Sequence, residues 1–317
     1  MNIRSFLRLV EIQTKAASMI PFALGTLYAL YRFHSFDAGK FLLMLVSLLS
    51  FDMATTAINN YYDFKKAQRT HGYGYETHNP IVRHKLKEAV VVGVILILLV
   101  LAVGCGLLLV ARTGLLVLAL GGLSFMIGIL YSFGPVPISR MPLGELFSGL
   151  FMGFVIIFIS AYIHAGDALA VLSLDLQGGW VHFDLNLLEV LFLFGFSIPA
   201  VLCIANIMLA NNICDVEEDI ENRRYTLPVY IGKPNALLLF STLYYASYAD
   251  LVILLILGVH PLLLLLVLPT LIPLRRNLAK FAERQEKGAT FILVVRNFML
   301  LNGSRIVVLL MALLFRL

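Results

Sequence analysis

Runs of apolar residues close to the roughly 20 needed to cross a bilayer as a helix recur along the whole of this sequence. They lie near 16–32, 41–60, 88–110, 113–132, 143–164, 187–209, 236–258, 260–275 and 297–316. Water is a poor solvent for such a chain: 60% of its 317 residues are hydrophobic and 14% are charged, against about a quarter charged in a soluble domain. The runs do not alternate apolar with polar positions, as the strands of a membrane barrel must. The expected fold is all-α, a polytopic membrane bundle of about nine transmembrane helices, with residues 1–317 in a single membrane domain. The first run follows Arg4, Arg8 and Lys15, as the core of a secretory signal would. It lacks a small-residue cleavage site and holds Pro21 and Gly25 within a full-length span, so it is read as a retained first helix. Cys105, Cys203 and Cys214 are scattered, which implies neither a disulfide frame nor a zinc site.

Lysine and arginine sort by segment. Three precede or open the first span, six lie in 61–87, one in 133–142, three in 210–235 and six in 275–296, nineteen together. The opposite set is four (Arg32, Lys40, Arg112 and Arg316), with Arg305 left inside the last span. The positive-inside rule then places the N-terminus and the ends of the even-numbered spans in the cytoplasm, in a multi-pass protein of the cell membrane. The formal charge of +5 is thus concentrated on one face. There it can meet anionic membrane lipid or an anionic substrate, and nothing points to nucleic acid. Residues 165–190 carry Asp167, Asp175, Asp184 and Glu189 without any lysine or arginine, which fits an outward loop. Arg275, Arg276, Lys280, Arg284 and Lys287 read as a solvated, lipid-facing run. Arg305 is expected to face a cavity or a partner such as Asp250, and both readings stay open.

Self-similarity carries the most information. Asn59-Asn60-Tyr61-Tyr62-Asp63 closes the second span and Asn211-Asn212-Ile213-Cys214-Asp215 closes the sixth. Both obey N-N-x-x-D, both emerge on the expected cytoplasmic face, and each runs into basic residues: Lys65, Lys66 and Arg69, then Arg223 and Arg224. Residues i and i+4 share a helix face. Asn59 therefore stacks over Asp63, with Asp52 and Thr56 continuing the stripe deeper, and Asn211, Asp215 and Asp219 stack alike. Amide and carboxylate oxygens suit Mg2+, which completes its shell with water and substrate phosphate. Two such stripes ringed by cations are expected to clamp a diphosphate. Ionisable groups cost roughly 2.5–3.5 kcal/mol each at the centre of a membrane helix, so their presence favours a functional reading.

These residues resemble the UbiA superfamily of membrane prenyltransferases, in which nine helices carry one Asp-rich motif after the second helix and another after the sixth. The second motif matches in full as Asp215 and Asp219, ahead of Arg224-Tyr225-Thr226-Leu227. The first departs, with Asn60 where an acid is usual, and with Ala67 and Arg69 where a further Asp is expected. Within the superfamily the likeness is to 1,4-dihydroxy-2-naphthoate polyprenyltransferases. It is carried by Gln13-Thr14-Lys15 with Pro21 and Gly25, by Tyr131-Ser132-Phe133-Gly134-Pro135-Val136-Pro137, and by Gly144-Glu145.

The resemblance implies that Mg2+ is bound through Asn59, Asp63, Asn211, Asp215 and Asp219, the three aspartates being catalytic. It implies contacts to a polyprenyl diphosphate and an aromatic acceptor from Asn60, Lys65, Arg69, Tyr131, Arg140, Asn212, Arg223 and Arg224. The cytoplasmic segments 61–87 and 210–235 would then line the active site, with Glu76 or Arg69 compensating for the missing acids, and the glycines of residues 71–80 by themselves suggest a mobile lid. Prenylation of another acceptor (4-hydroxybenzoate, homogentisate or a porphyrin) is the alternative within the class. Transport is the alternative outside it, and the clustering of polar residues at one face argues against it.

Overall fold

The computed structural model describes residues 1–66, 79–132, 137–175 and 177–315. Ala67, Arg69 and Glu76, the stretch 71–78 and positions 133–136 of the proline-rich turn lie outside the described residues. The chain divides into two compact units, one comprising Met1–Met19 with Ala38–Thr113 and the other Ile20–Asp37 with Gly114–Leu317.

In the first unit, α1 (Ile3–Leu9) begins where the Asn2 side chain accepts from the Ser5 amide at 2.8 Å. This satisfies one of the donors that a helix start leaves bare. After the first residues of α2 (Ala16–Phe33) come α3 (Ala38–Lys66), the one-turn α4 (Pro80–Arg83) and α5 (Glu88–Thr113). α3 and α5 pack along their lengths, burying Ala54, Ala57, Val91, Ile95, Leu98 and Ala102. The Ser47 hydroxyl donates to the Ala102 carbonyl at 2.7 Å across this seam. The other side of α5 leaves Leu96, Ile97, Val100, Leu107 and Leu108 uncovered, a surface that only lipid makes comfortable.

The second unit holds the rest of α2, then α6 (Leu115–Ser132), α7 (Gly144–Ser148), a π-helical segment (Gly149–Val155) and α8 (Ile156–Ala165). A hairpin of β1 (Ala170–Asp175) and β2 (Trp180–Leu185) leads to α9 (Leu187–Cys214). The chain continues through α10 (Val216–Glu221), α11 (Leu227–Ile231), α12 (Lys233–Ala246), α13 (Asp250–Ile256), α14 (Pro261–Leu264), α15 (Leu271–Glu283) and α16 (Phe291–Phe315). α9 is central: α7, the π segment, α12, α13 and α16 all pack on it. The core there contains Cys203, Leu209, Phe240, Tyr244, Phe281 and Phe298.

Backbones approach closely in this unit. A Cβ on Gly153 would lie 2.6 Å from the Val201 Cα, and one on Gly149 2.7 Å from the Val201 carbonyl oxygen. Only a hydrogen fits, so these two positions fix how the π segment seats on α9.

Seven helical stretches among the described residues are long and apolar enough to cross a membrane, and Leu115–Tyr131 is a shorter apolar one. The protein is an integral membrane protein, and among the described residues the expected apolar runs fall on helical chain, the run at 260–275 being broken by a turn at 265–267. One segment is more regular than its composition announces. Residues 170–185, within the expected outward loop, form an antiparallel hairpin, paired from Ala170 with Leu185 to Asp175 with Trp180. Trp180-Val181-His182-Phe183-Asp184-Leu185 alternates as a strand should. The basic run at 275–280 lies on α15, whose buried face is Leu274, Leu278 and Phe281. Arg275, Arg276 and Lys280 occupy the opposite, exposed face, an amphipathic division at helical spacing.

Candidate active site

In the first unit α3 runs unbroken through the motif, so Asn59 and Asp63 stand one turn apart on one face. Both are exposed. Asn60 is turned to a different use. Its Nδ2 donates to the Leu9 carbonyl at 3.0 Å and to Glu11 Oε1 at 3.2 Å, while its own carbonyl accepts from Asn79 Nδ2 at 2.9 Å. An ionised Asp has no proton to give and would confront Glu11, which accounts for an amide where related motifs carry an acid. Lys65 pairs with Glu88 Oε1 at 2.6 Å, and the Tyr61 hydroxyl donates to the same atom at 2.6 Å. The lysine is thereby fastened to the start of α5.

The deeper stripe also departs from expectation. Asp52 and Thr56 receive Lys15, whose Nζ reaches Asp52 Oδ1 and Thr56 Oγ1 at 2.6 Å each. The Ser18 hydroxyl donates to the second Asp52 oxygen at 2.5 Å. Lys15, counted with the surface cations of the N-terminus, is only 3% exposed. An ion buried this deeply requires a paired counter-charge.

In the second unit the stripe is not one continuous helix. α9 stops at Cys214, Asp215 leaves the helical region at φ −104° and ψ 6°, and α10 restarts at Val216. The break has an electrostatic logic. A carboxylate is disfavoured at a helix C-terminus and favoured at an N-terminus, and Glu217, Glu218 and Asp219 fill the first turn of α10. Arg223, exposed and left-handed at φ 53°, ends α10. The Arg224 amide then returns to the Asp219 carbonyl at 2.8 Å.

Both aspartates of this motif carry cations. Asp215 is paired with Lys287, from the connection between α15 and α16. Asp219, 2% exposed, accepts from the Thr226 hydroxyl at 3.0 Å and lies 3.4 Å from Arg224 Nε. Lys287 is exposed, as expected of a solvated run, and still reaches Asp215, a proximity in space that spacing along the chain does not carry. Arg140 is exposed, and its carbonyl accepts from the Tyr225 amide at 3.1 Å, tying its turn to the segment after α10. Asn211 is partly buried. Asn212 is fully buried and donates to Glu145 Oε1 at 2.8 Å. Tyr131, partly buried, lies beside Ser148 and in the field of Glu145 and Arg224. The two repeats thus share a feature the sequence did not reveal: the second Asn of each hands its N–H to a carboxylate, Glu11 in one and Glu145 in the other.

Farther into the second unit, Arg305 takes the partner alternative. Its Nε and Nη2 reach the two oxygens of Asp250 at 3.0 and 2.8 Å. This pair is structural.

Among the described residues no three His, Cys, Asp or Glu side chains form a self-contained metal cage. Mg2+ rarely needs one, binding through one or two carboxylates with water and phosphate completing the shell. Asp215 and Asp219 supply hard oxygens, and the ammonium and guanidinium now beside them are groups that a phosphate would attract. The donor set fits Mg2+.

Residues 18–302 match the UbiA prenyltransferase family. The chain is 32% identical over 251 residues to a 1,4-dihydroxy-2-naphthoate octaprenyltransferase of Bacillus subtilis, covering 79% of this chain and 73% of that one. It is 26% identical over 309 residues to the enzyme of that name from Escherichia coli, covering 90% and 91%. In three dimensions it resembles a UbiA homologue from Aeropyrum pernix at TM-score 0.64 and 19% identity, covering 91% of this chain and 97% of the other. A UbiA homologue from Archaeoglobus fulgidus bound to GPP and Mg2+ gives 0.63 at 16% identity, covering 98% and 99%.

Proposed function

Since this chain belongs to the UbiA prenyltransferase family, we propose that it moves a polyprenyl group from polyprenyl diphosphate to 1,4-dihydroxy-2-naphthoate, releasing diphosphate and CO2 to give the demethylmenaquinone skeleton. The observation that carries the reading is the second motif, where Asp215 and Asp219 each sit against a cation. That is the composition a metal-bound diphosphate needs. The naphthoate acceptor is supported by likeness to the two octaprenyltransferases.

In this reading Asp63, Asp215 and Asp219 would hold Mg2+, with Asn59 and Asn211 as neutral oxygen ligands. An ion held there would neutralise charge developing on the departing diphosphate. Arg224 and Lys287 would be released from their aspartates to the phosphate oxygens, and Arg223, Arg140, Lys65 and Arg69 are the further cations this reading assigns to the diphosphate. Preorganised cations of this kind stabilise a leaving group without reorganisation during the reaction. Tyr131 flanks the acceptor. The polyprenyl tail lies among apolar helices in contact with membrane lipid, and the head faces the cytoplasm.

The test is incubation of the purified protein in detergent micelles with dihydroxynaphthoate, a polyprenyl diphosphate and Mg2+, followed by mass spectrometry of the lipid extract. Micelles have no compartments, so product there excludes pure transport. Prenylation of 4-hydroxybenzoate or homogentisate in preference to the naphthoate would overturn the acceptor, and absence of product with any acceptor would overturn the reaction.

A further inference from the structure

We infer that Glu145 and Asn212 form the subsite that binds a ring hydroxyl of the aromatic acceptor, an inference that rests on the prenyl-transfer reading above. Glu145 is 6% exposed and Asn212 is 0% exposed. Asn212 Nδ2 donates to Glu145 Oε1 at 2.8 Å. The remaining oxygens of the pair, Glu145 Oε2 and Asn212 Oδ1, are buried without any hydrogen-bond partner among the described residues. Buried polar atoms in folded proteins are overwhelmingly paired, so two unpaired acceptors on one hydrogen-bonded pair mark a place completed from outside. What completes them must bring donors.

The surroundings narrow the ligand. Arg224 lies 3.4 Å from Asp219 and Lys287 pairs with Asp215, and among the described residues no ion pair joins either cation to Glu145. A phenolic hydroxyl fits: it is neutral, flat where it joins the ring, and donates one proton to one oxygen. Tyr131 supplies an aromatic neighbour on the α6 side. Position is fixed mechanically, because Gly149 and Gly153 let the π segment lie directly on α9. That contact holds Glu145, one turn before Gly149, in register with Asn212. Asp219 lies within the electrostatic reach of Glu145, so a hydroxyl held here places its ring next to the motif from which diphosphate departs. A hydroxyl donating to a buried carboxylate also pushes electron density onto the ring carbon ortho to it, where the new C–C bond forms.

The experiment crosses protein and ligand changes. Glu145→Gln keeps the shape of the side chain and removes its charge. Its kcat/KM for dihydroxynaphthoate should fall roughly 10- to 100-fold, the range for losing a hydrogen bond to a charged group. The KM for polyprenyl diphosphate and the Mg2+ requirement should not move. On one of the two mono-O-methyl naphthoates, whose blocked hydroxyl cannot donate, the substitution should cost nothing further. Glu145→Asp, which keeps the charge but shortens the arm, should lose less. Calorimetric binding of the acceptor alone to metal-free protein should weaken in Glu145→Gln by a similar factor.

Wild-type acceptor binding in both variants would overturn the subsite, as would equal losses on the donor and the acceptor or equal losses on both methyl ethers. Failure of the wild type to form any prenylated product would instead overturn the reaction. The calorimetric measurement reads the subsite either way.

Discussion

Arg305→Met removes both side-chain donors that reach Asp250 in the core of the second unit. The arginine is 1% exposed and the aspartate 0%. Two charge-assisted bonds at 2.8 and 3.0 Å disappear, together with the Nη contacts to the Leu301 and Ser247 carbonyls at 3.1 and 3.3 Å. The guanidinium 5.1 Å from the centre of the Tyr248 ring is lost as well. Breaking one side of a buried pair costs about 3–5 kcal/mol, because the partner is left charged in a medium that cannot solvate it. For a chain of this size that corresponds to a fall in melting temperature of order 10 °C. The desolvation argument makes a second, sharper demand. Arg305→Met with Asp250→Leu removes both charges and should recover to within about 2 kcal/mol of the wild type, since apolar replacement of a whole buried pair is often near neutral. Melting in detergent, followed by exposure of the buried Cys203 thiol, measures both variants. A single variant that melts with the wild type, or a double variant no more stable than the single, would refute the reasoning.

Asp215→Asn and Asp63→Asn should each abolish most turnover in the micelle assay while leaving the melting temperature nearly unchanged, because removing a carboxylate at these helix ends costs metal binding and little packing. Asn60→Asp should destabilise the first unit by about 1–3 kcal/mol, since it removes a donor from the Leu9 carbonyl and sets a carboxylate against Glu11; adding Glu11→Gln should restore part of the loss, which paired melting curves would report. Gly153→Ala forces a methyl to within 2.6 Å of the Val201 Cα, and the strain of overpacking, typically 1–3 kcal/mol, should appear as a lower melting temperature and a weaker acceptor affinity. An alanine variant with wild-type values of both would show that the contact does not set the register of Glu145.

The membrane helices were legible because their signal is local: about twenty consecutive apolar residues announce a span whatever surrounds them. The paired Asn-Asn-x-x-Asp segments were legible for the same reason, being short and repeated. What stayed hidden depends on approach in space. Lys15 reads as one more cytoplasmic cation until Asp52, Thr56 and Ser18 are seen around it. Asn60 reads as a lost acid until Leu9 and Glu11 appear at its amide. Glu145 is visible only as half of a Gly-Glu pair, since its contact with Asn212 spans 67 positions of chain. The hairpin at 170–185 was legible in its alternation, and the acidic, lysine-free composition drew the reading toward a loop instead.

The ion pair between Lys287 and Asp215 pins the link between α15 and α16 to the tip of α9. Anything that claims Asp215 must unpin it, so this link should behave as an occupancy gauge for the head of the donor. A dye placed by Ala289→Cys on exposed chain nearby would then change its emission when Mg2+ and inorganic diphosphate arrive together. Loading of the catalytic end could be followed in real time, before any carbon–carbon bond is made.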